Sequence, residues 1–128
     1  MKRIKAAVML RWVILFAGIG CNAAASVLVK VAMSQGSAVA GDGFARYIAL
    51  AMRPSLVLGV LLYGGAFVLY AAALTRFPLN VAHPILTSGA IAAVALCSYF
   101  VFGERFYWNT VVGLALVVVG VWLIAVRA

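Results

Sequence analysis

Polar side chains recur at helical spacing in two stretches of an otherwise apolar sequence. Asn22, Ser26 and Lys30 follow one another at intervals of four residues, which places them on one slowly drifting face of a helix. His83 and Thr87 have the same spacing in the second stretch. Amide, hydroxyl, imidazole and ammonium groups placed in this way can hydrogen-bond a polar ligand or hold a phosphate. The alternative for the first stretch is structural, with Asn22 bonding a neighbouring helix and Lys30 extending to the membrane surface.

Two tyrosines extend the set of candidate binding residues. Tyr63 and Tyr70 are seven residues apart and therefore share one face of a helix. A tyrosine hydroxyl at mid-membrane depth needs a hydrogen-bond partner, which the two polar stretches can supply. The predicted substrate-binding residues are Asn22, Ser26, Lys30, Tyr63, Tyr70, His83 and Thr87.

The charges of the sequence favour an anionic or zwitterionic guest. The chain has only two carboxylates, Asp42 in a predicted loop and Glu104 beside Arg105 at a predicted helix end. A carrier of hydrophobic cations needs an acid within the membrane, because a bare cation in a low dielectric is very costly. We therefore predict that Lys30 and Arg76 face a lipid headgroup phosphate at the membrane edges.

Enzymatic and metal chemistry have little support in the sequence. Two separated carboxylates are too few for an acid/base pair or a hard-metal site. One histidine and two distant cysteines provide no zinc-binding spacing. We predict that the chain is not an enzyme and binds no metal or cofactor.

The composition indicates a membrane protein. Of the 128 residues, 68% are hydrophobic and only 9% are charged, which is too little polar surface for a water-soluble globule. The uncharged runs predict four transmembrane helices, at about 8–32, 55–75, 78–102 and 107–126, in a single domain that covers 1–128. The third helix follows a tight turn at Arg76 to Pro78, and a second proline, Pro84, comes six residues later. The predicted fold class is an all-α membrane protein.

The polar break between the first and second spans contains a short amphipathic pattern. Apolar residues repeat at helical spacing, whereas Arg46 and Arg53 lie off that face; the apolar residues are Phe44, Tyr47, Ile48, Ala51 and Met52. This pattern predicts a short interfacial helix in the headgroup layer. It either anchors the loop or gates the lateral entry of a lipid.

Charge bias and glycine spacing predict topology and assembly. Six basic residues fall on the side of the termini and three in the loops on the other side, which predicts that the N- and C-termini are cytoplasmic. The net charge of +8 is scattered over helix ends, which favours membrane lipids over nucleic acid as partners. Gly113 and Gly120 share one face of the last helix, and one copy of four short helices can hardly enclose a pathway. We therefore predict a dimer through that face.

In their order and spacing, these motifs resemble the drug/metabolite transporter superfamily in its small four-helix form, as in small multidrug resistance transporters. The segment 26–30 is similar to the end of that family's first helix, and 77–84 is similar to its proline turn and third helix. The segment 103–106, followed by Gly113 and Gly120, resembles the family's third loop and dimerising fourth helix. The resemblance covers nearly the whole chain.

One departure from the family pattern bears on the substrate. Drug-exporting members have an essential glutamate eight residues before the lysine, and this position is Asn22 here. The segment 82–88 looks more like that of aminoarabinose-phosphoundecaprenol flippase subunits, with His83 in place of a tyrosine. The resemblance implies a polyprenyl-phosphate-linked substrate, the bacterial inner membrane, and a homodimer or a heterodimer with a similar small subunit.

Three functions remain open at this point. The leading hypothesis is a flippase for an amphipathic lipid-linked substrate. The second is an exporter of small cations or metabolites, in which His83 titrates because imidazole changes charge near neutral pH. The third is a non-transporting accessory subunit of a membrane enzyme.

Overall fold

The computed structural model describes residues 2–35 and 43–126, and its regular structure there is helical. Its five helices are α1 (Lys2–Ser34), α2 (Phe44–Ala51), α3 (Pro54–Leu74), α4 (Leu79–Phe102) and α5 (Trp108–Ala125). The predicted all-α fold, with a short helix between the first and second spans, is confirmed. Asp42 lies outside the described residues, as does Arg127, one of the six basic residues predicted on the side of the termini.

Four of the helices are long and apolar enough to cross a membrane. They are α3, α4, α5 and the Val8–Ser34 part of α1, and the shortest has 18 residues. At about 1.5 Å per residue, 18 residues extend roughly 27 Å, close to the thickness of the hydrocarbon layer. The chain is therefore a multi-pass membrane protein, whereas the assignment of one domain to 1–128 stays a prediction.

Proline and glycine set the ends of these helices. Pro54 starts α3 and Pro78 precedes α4, positions at which a missing backbone N–H costs nothing. Gly103 ends α4 with φ of +65°, a left-handed conformation that side chains with a Cβ rarely adopt. The chain turns sharply at Gly103, and the segment that follows lies beside the end of α4.

The core consists mainly of small residues between α1 and its two neighbours, α3 and α4. Ala25 and Ala32 of α1, Ala73 of α3 and Ala82 of α4 are fully buried. A Cβ at Gly59 of α3 would stand only 3.3 Å from the carbonyl oxygen of Ala25. In lipid the hydrophobic effect does not drive apolar helices together, so close packing of their backbones stabilises these contacts.

The last helix lies at the edge of this arrangement. α5 packs mainly against α4 and has no buried residue. Within the described residues, no atom lies within 4 Å of a Cβ built at Gly113 or at Gly120. The glycine face is thus not covered by the described part of this chain, and the dimer through it stays a prediction.

We expect Gly59→Leu to destabilise the protein by about 1–3 kcal/mol, because the new side chain would overlap the backbone of α1. The matched control is Gly64→Leu in the same helix, where a Cβ has no neighbour within 4 Å. Thermal unfolding in detergent would measure both variants. Equal stability of the two would contradict the close α1–α3 approach.

Candidate functional site

One face of α1 lines a cavity of about 600 Å³. Asn22, Ser26 and Lys30, the predicted polar stripe, lie on this wall. The opposite wall belongs to α4 and is mainly apolar; its residues are Ala90, Ile91, Val94, Ala95, Ser98 and Phe102. The cavity therefore has one polar and one apolar side, which suits an amphipathic guest.

An ion pair closes one end of this cavity. The Lys30 ammonium donates to Oε1 of Glu104, and Oε2 of Glu104 accepts a hydrogen bond from the Ser98 hydroxyl. The ammonium also lies over the ring of Phe102, 4.5 Å from its centroid. The side chains of Lys30 and Glu104 are 45% and 47% exposed, so the pair contributes only about 0–1 kcal/mol to stability.

The turn at Gly103 places Glu104 in this position. The backbone N–H of Gly103 donates to the Tyr99 carbonyl at 3.1 Å, and the N–H of Glu104 donates to the Ser98 carbonyl at 3.3 Å. These two bonds hold Glu104 back against the last turn of α4. Its carboxylate consequently meets Ser98 of the same helix and Lys30 of α1.

Ser26 connects the cavity wall to α3. Its hydroxyl donates to the backbone carbonyl of Asn22 at 3.0 Å and lies 2.7 Å from the hydroxyl of Tyr63. A serine hydroxyl has a single proton, so Tyr63 is the donor in the second bond. Among the described residues, no hydrogen bond engages the side-chain amide of Asn22. That amide faces the cavity with its donors and acceptor available.

Tyr70 and His83 form a second polar cluster. The tyrosine hydroxyl is 3.0 Å from Nδ1 of His83, and the two ring centroids are 5.6 Å apart. One turn further along α4, the Thr87 hydroxyl lies 2.8 Å from the His83 carbonyl and 3.2 Å from that of Pro84. The Thr87 hydroxyl therefore donates its hydrogen bond within its own helix. The side chain of His83 is exposed.

The two clusters lie near opposite ends of α4. His83 and Ser98 are fifteen residues apart, which corresponds to roughly 22 Å along the helix axis. The seven predicted binding residues thus divide into two groups. Asn22, Ser26 and Lys30 line the cavity, with Tyr63 attached through Ser26, whereas Tyr70, His83 and Thr87 lie toward the other membrane surface.

The predicted headgroup residues Lys30 and Arg76 are similarly divided. Arg76 is exposed in the turn between α3 and α4, on the side of the Tyr70–His83 cluster. In the same turn, Phe77 packs against Trp12 at a centroid distance of 5.5 Å and lies 5.6 Å from the guanidinium of Arg11. Lys30 is at the opposite surface, where Glu104 neutralises it.

The sequence interpretation did not group Glu104, Ser98 and Arg105 with the α1 stripe, although all three line the same cavity. Lys30 and Glu104 are 74 positions apart, so no helical periodicity relates them. A topological signal was present, however. Successive spans cross the membrane in opposite directions, so the C-terminal ends of the first span (α1) and the third span (α4) lie at the same membrane surface. Lys30 is near the end of α1, and Glu104 directly follows the end of α4.

Two curated bacterial proteins are similar to part of this chain. The uncharacterised protein y4nH of Sinorhizobium fredii is 38% identical over 74 residues, which cover 58% of this chain and 63% of that protein. The probable 4-amino-4-deoxy-L-arabinose-phosphoundecaprenol flippase subunit ArnE of Pectobacterium atrosepticum is 37% identical over 68 residues, which cover 53% of this chain and 59% of that protein. The chain thus spans less than two thirds of the length of these curated relatives.

No family model matches the chain, and no solved structure matches it significantly. The partial similarity to a flippase subunit and the four apolar helices fit a small protein of the drug/metabolite transporter type.

We expect a cysteine at Ala95 to react roughly tenfold faster with a water-soluble thiol reagent than one at Leu61, because thiolates form in water and not in lipid. Ala95 lines the cavity, whereas Leu61 is exposed on the apolar surface of α3. Both positions are equally deep in the membrane. Ala95 and Leu61 are each seven residues, or roughly 10 Å, from the end of their helix that lies at the same membrane surface as Lys30.

The labelling is measured by mass spectrometry in liposomes, after Cys21 and Cys97 have been replaced by alanine. The reagent is added on the side opposite the N-terminus. Equal rates at the two positions would show that water does not enter the cavity.

Proposed function

We propose that this protein is a membrane transporter, and not an enzyme, that moves an amphipathic lipid-linked substrate between the leaflets of the bacterial inner membrane. The substrate class is a polyprenyl-phosphate sugar or a similar anionic or zwitterionic lipid. The observation that carries the proposal is the cavity with a polar α1 wall and an apolar α4 wall. A headgroup can bond Asn22 and Ser26 there while apolar atoms contact Val94 and Ala95.

The size of the cavity supports a headgroup as the guest. At about 600 Å³ it falls within the range of roughly 300–1,000 Å³ that small-molecule sites occupy. A space of this volume can hold a sugar phosphate but not a long polyprenyl chain. In this proposal the tail remains in the surrounding lipid.

The two polar clusters support movement across the membrane. A headgroup that leaves the cavity would next meet Thr87 and then the Tyr70–His83 pair, roughly 22 Å from Ser98 along α4. That distance is most of the hydrocarbon thickness of about 30 Å. With cytoplasmic termini, the Lys30–Glu104 end would face the periplasm and Arg76 would face the cytoplasm.

The relative in Pectobacterium supports both the substrate class and the assembly, because its name describes a probable subunit of a lipid-linked sugar flippase. We propose that this chain likewise works as a dimer, with itself or with a similar small subunit. The uncovered Gly113 and Gly120 face of α5 is the proposed interface, since small residues allow helices to approach closely in lipid.

Export of a small cation or metabolite is a second candidate, and Glu104 favours it. This carboxylate lines the cavity and could compensate the charge of a cation. Lys30 already neutralises it, however, so a lone cation would have to displace the ammonium. For this reason we give preference to the lipid-linked substrate.

We expect Asn22→Ala, Lys30→Ala and His83→Ala each to slow lipid translocation by roughly ten- to 150-fold, since a hydrogen bond to a charged group contributes about 1.5–3 kcal/mol. The measurement is transfer of a labelled short-chain polyprenyl-phosphate sugar between the leaflets of proteoliposomes. Leu61→Ala, on the exposed surface of α3, is the control and should leave the rate unchanged. Unchanged rates in all three variants would refute the assignment of these residues.

Currents on a solid-supported membrane separate the two candidates. The lipid proposal expects no large pH-coupled current when quaternary ammonium or guanidinium compounds are added. A large current of this kind, abolished by His83→Ala, would favour the cation exporter instead.

A further inference from the structure

A second, smaller cavity lies where the end of α1 meets the start of α3. Its volume is about 390 Å³, and it is lined by Gln35, Arg53, Pro54 and Ser55. It shares no lining residue with the cavity between α1 and α4. The polar side chains around it are a guanidinium, an amide and a hydroxyl, all of which can donate hydrogen bonds to a phosphate.

Arg53 is fixed at the corner between α2 and α3. Its backbone N–H donates to the Leu50 carbonyl at 3.1 Å, and its carbonyl accepts from the N–H of Val57 at 2.9 Å. The proline that follows restricts Arg53 to an extended backbone, which is observed with φ of −65° and ψ of 133°. The backbone of this arginine is thus held on both sides, so its side chain starts from a fixed point at the cavity.

The charge at this corner is positive. Residues 43–55 contain two arginines, Arg46 and Arg53, and no carboxylate. Neither side chain has an ion pair or a hydrogen bond within the part of the chain that the structure describes. The carboxylate found in that part, Glu104, is paired with Lys30 in the other cavity. An anionic ligand is therefore complementary to Arg53.

The exposed face of α2 indicates that the ligand also has an apolar part. The helix has no buried residue, and the Phe44, Tyr47 and Ile48 side chains are 79%, 70% and 47% exposed. With about 3.6 residues per turn, these three share one face, and Arg46 lies opposite Phe44. Only two residues separate α2 from α3, so α2 lies directly beside the cavity. Acyl chains can cover its apolar face while their headgroup reaches Arg53.

We propose that the cavity at Arg53 binds the phosphate of an anionic phospholipid, whose acyl chains cover the apolar face of α2. A phosphodiester can accept two parallel hydrogen bonds from the planar guanidinium. This lipid is a resident of the surrounding leaflet and not the transported substrate, since its site lies outside the cavity between α1 and α4. The inference does not depend on the proposed function.

The bound lipid would connect α1 to α3. Gln35 directly follows α1, and Arg53 directly precedes α3, so a headgroup between them bridges the two helices. A ligand that binds the folded state and not the unfolded state stabilises the protein. Anionic lipid therefore strengthens the contact between α1 and α3 on which the core depends.

Native mass spectrometry of the full-length protein in an uncharged detergent tests the site. The protein is mixed with dioleoyl phosphatidylglycerol or dioleoyl phosphatidylcholine, which share the phosphodiester and the acyl chains but differ in net charge. We expect phosphatidylglycerol to bind about fivefold more tightly, the effect of one arginine at an anionic lipid surface. Equal affinity for the two lipids would overturn the proposal.

The two arginines of this segment provide a matched control. Arg53→Gln should remove the preference for phosphatidylglycerol, whereas Arg46→Gln should retain it, because Arg46 does not line the cavity. A diffuse attraction between basic residues and anionic lipid would lower the affinity equally in both variants. That result, or a preference that persists in Arg53→Gln, would refute the site.

Thermal unfolding of the delipidated protein separates loss of the site from damage to the fold. Added phosphatidylglycerol should raise the unfolding temperature of the wild type and of Arg46→Gln, but not of Arg53→Gln. Without lipid the three proteins should unfold at the same temperature, since neither arginine side chain bonds another described residue. If Arg53→Gln alone is less stable without lipid, this arginine is structural and its assignment to the lipid is wrong.

Two other occupants of the surface would give distinct results. Excess inorganic phosphate should displace little of the phosphatidylglycerol, because it has no acyl chains to cover α2. Complete displacement would reduce the cavity to a site for simple anions. Loss of a dimer in Arg53→Gln, with lipid binding unchanged, would assign the surface to a second copy of the chain. Either result would overturn the lipid assignment.

Discussion

The close approach of α1 to α3 and α4 determines the rest of this structure. Three helices that meet through alanine and glycine can bring their backbones together without large side chains between them, as at Gly59 and Ala25. In lipid this approach replaces the hydrophobic effect as the source of stability. It also fixes the rotation of α1, so that the face with Asn22, Ser26 and Lys30 turns toward α4 and cannot turn to the lipid.

The cavity results from this rotation of α1 and from the chain reversal at Gly103. α4 contributes alanines and branched apolar residues opposite the polar face of α1, which leaves a space between them. Gly103 then reverses the chain and places Glu104 at the end of this space, against Lys30. A residue outside the predicted spans thereby joins a site most of whose members lie within them.

Much of the fold could be predicted because its causes are local in the sequence. Gaps between charged residues mark the four long helices, prolines mark the starts of α3 and α4, and the amphipathic pattern from Phe44 marks α2. The members of the polar stripe on α1 share a wall because they are four residues apart. The pairs Lys30–Glu104 and Tyr70–His83 depend instead on how separate helices rotate and shift against each other. Periodicity within one helix contains no information about how helices rotate and shift against each other. The seven binding residues are therefore predicted as one set, whereas they lie in two clusters.

The edge position of α5 has a consequence for biogenesis. In the described part of the chain, each residue that is buried precedes residue 91. A chain that leaves the ribosome from its N-terminus therefore has its whole core available as soon as α4 has entered the membrane, and α5 joins a scaffold that is already complete. Because the last helix is not needed to build this scaffold, its exposed surface is available to whichever second chain is inserted nearby.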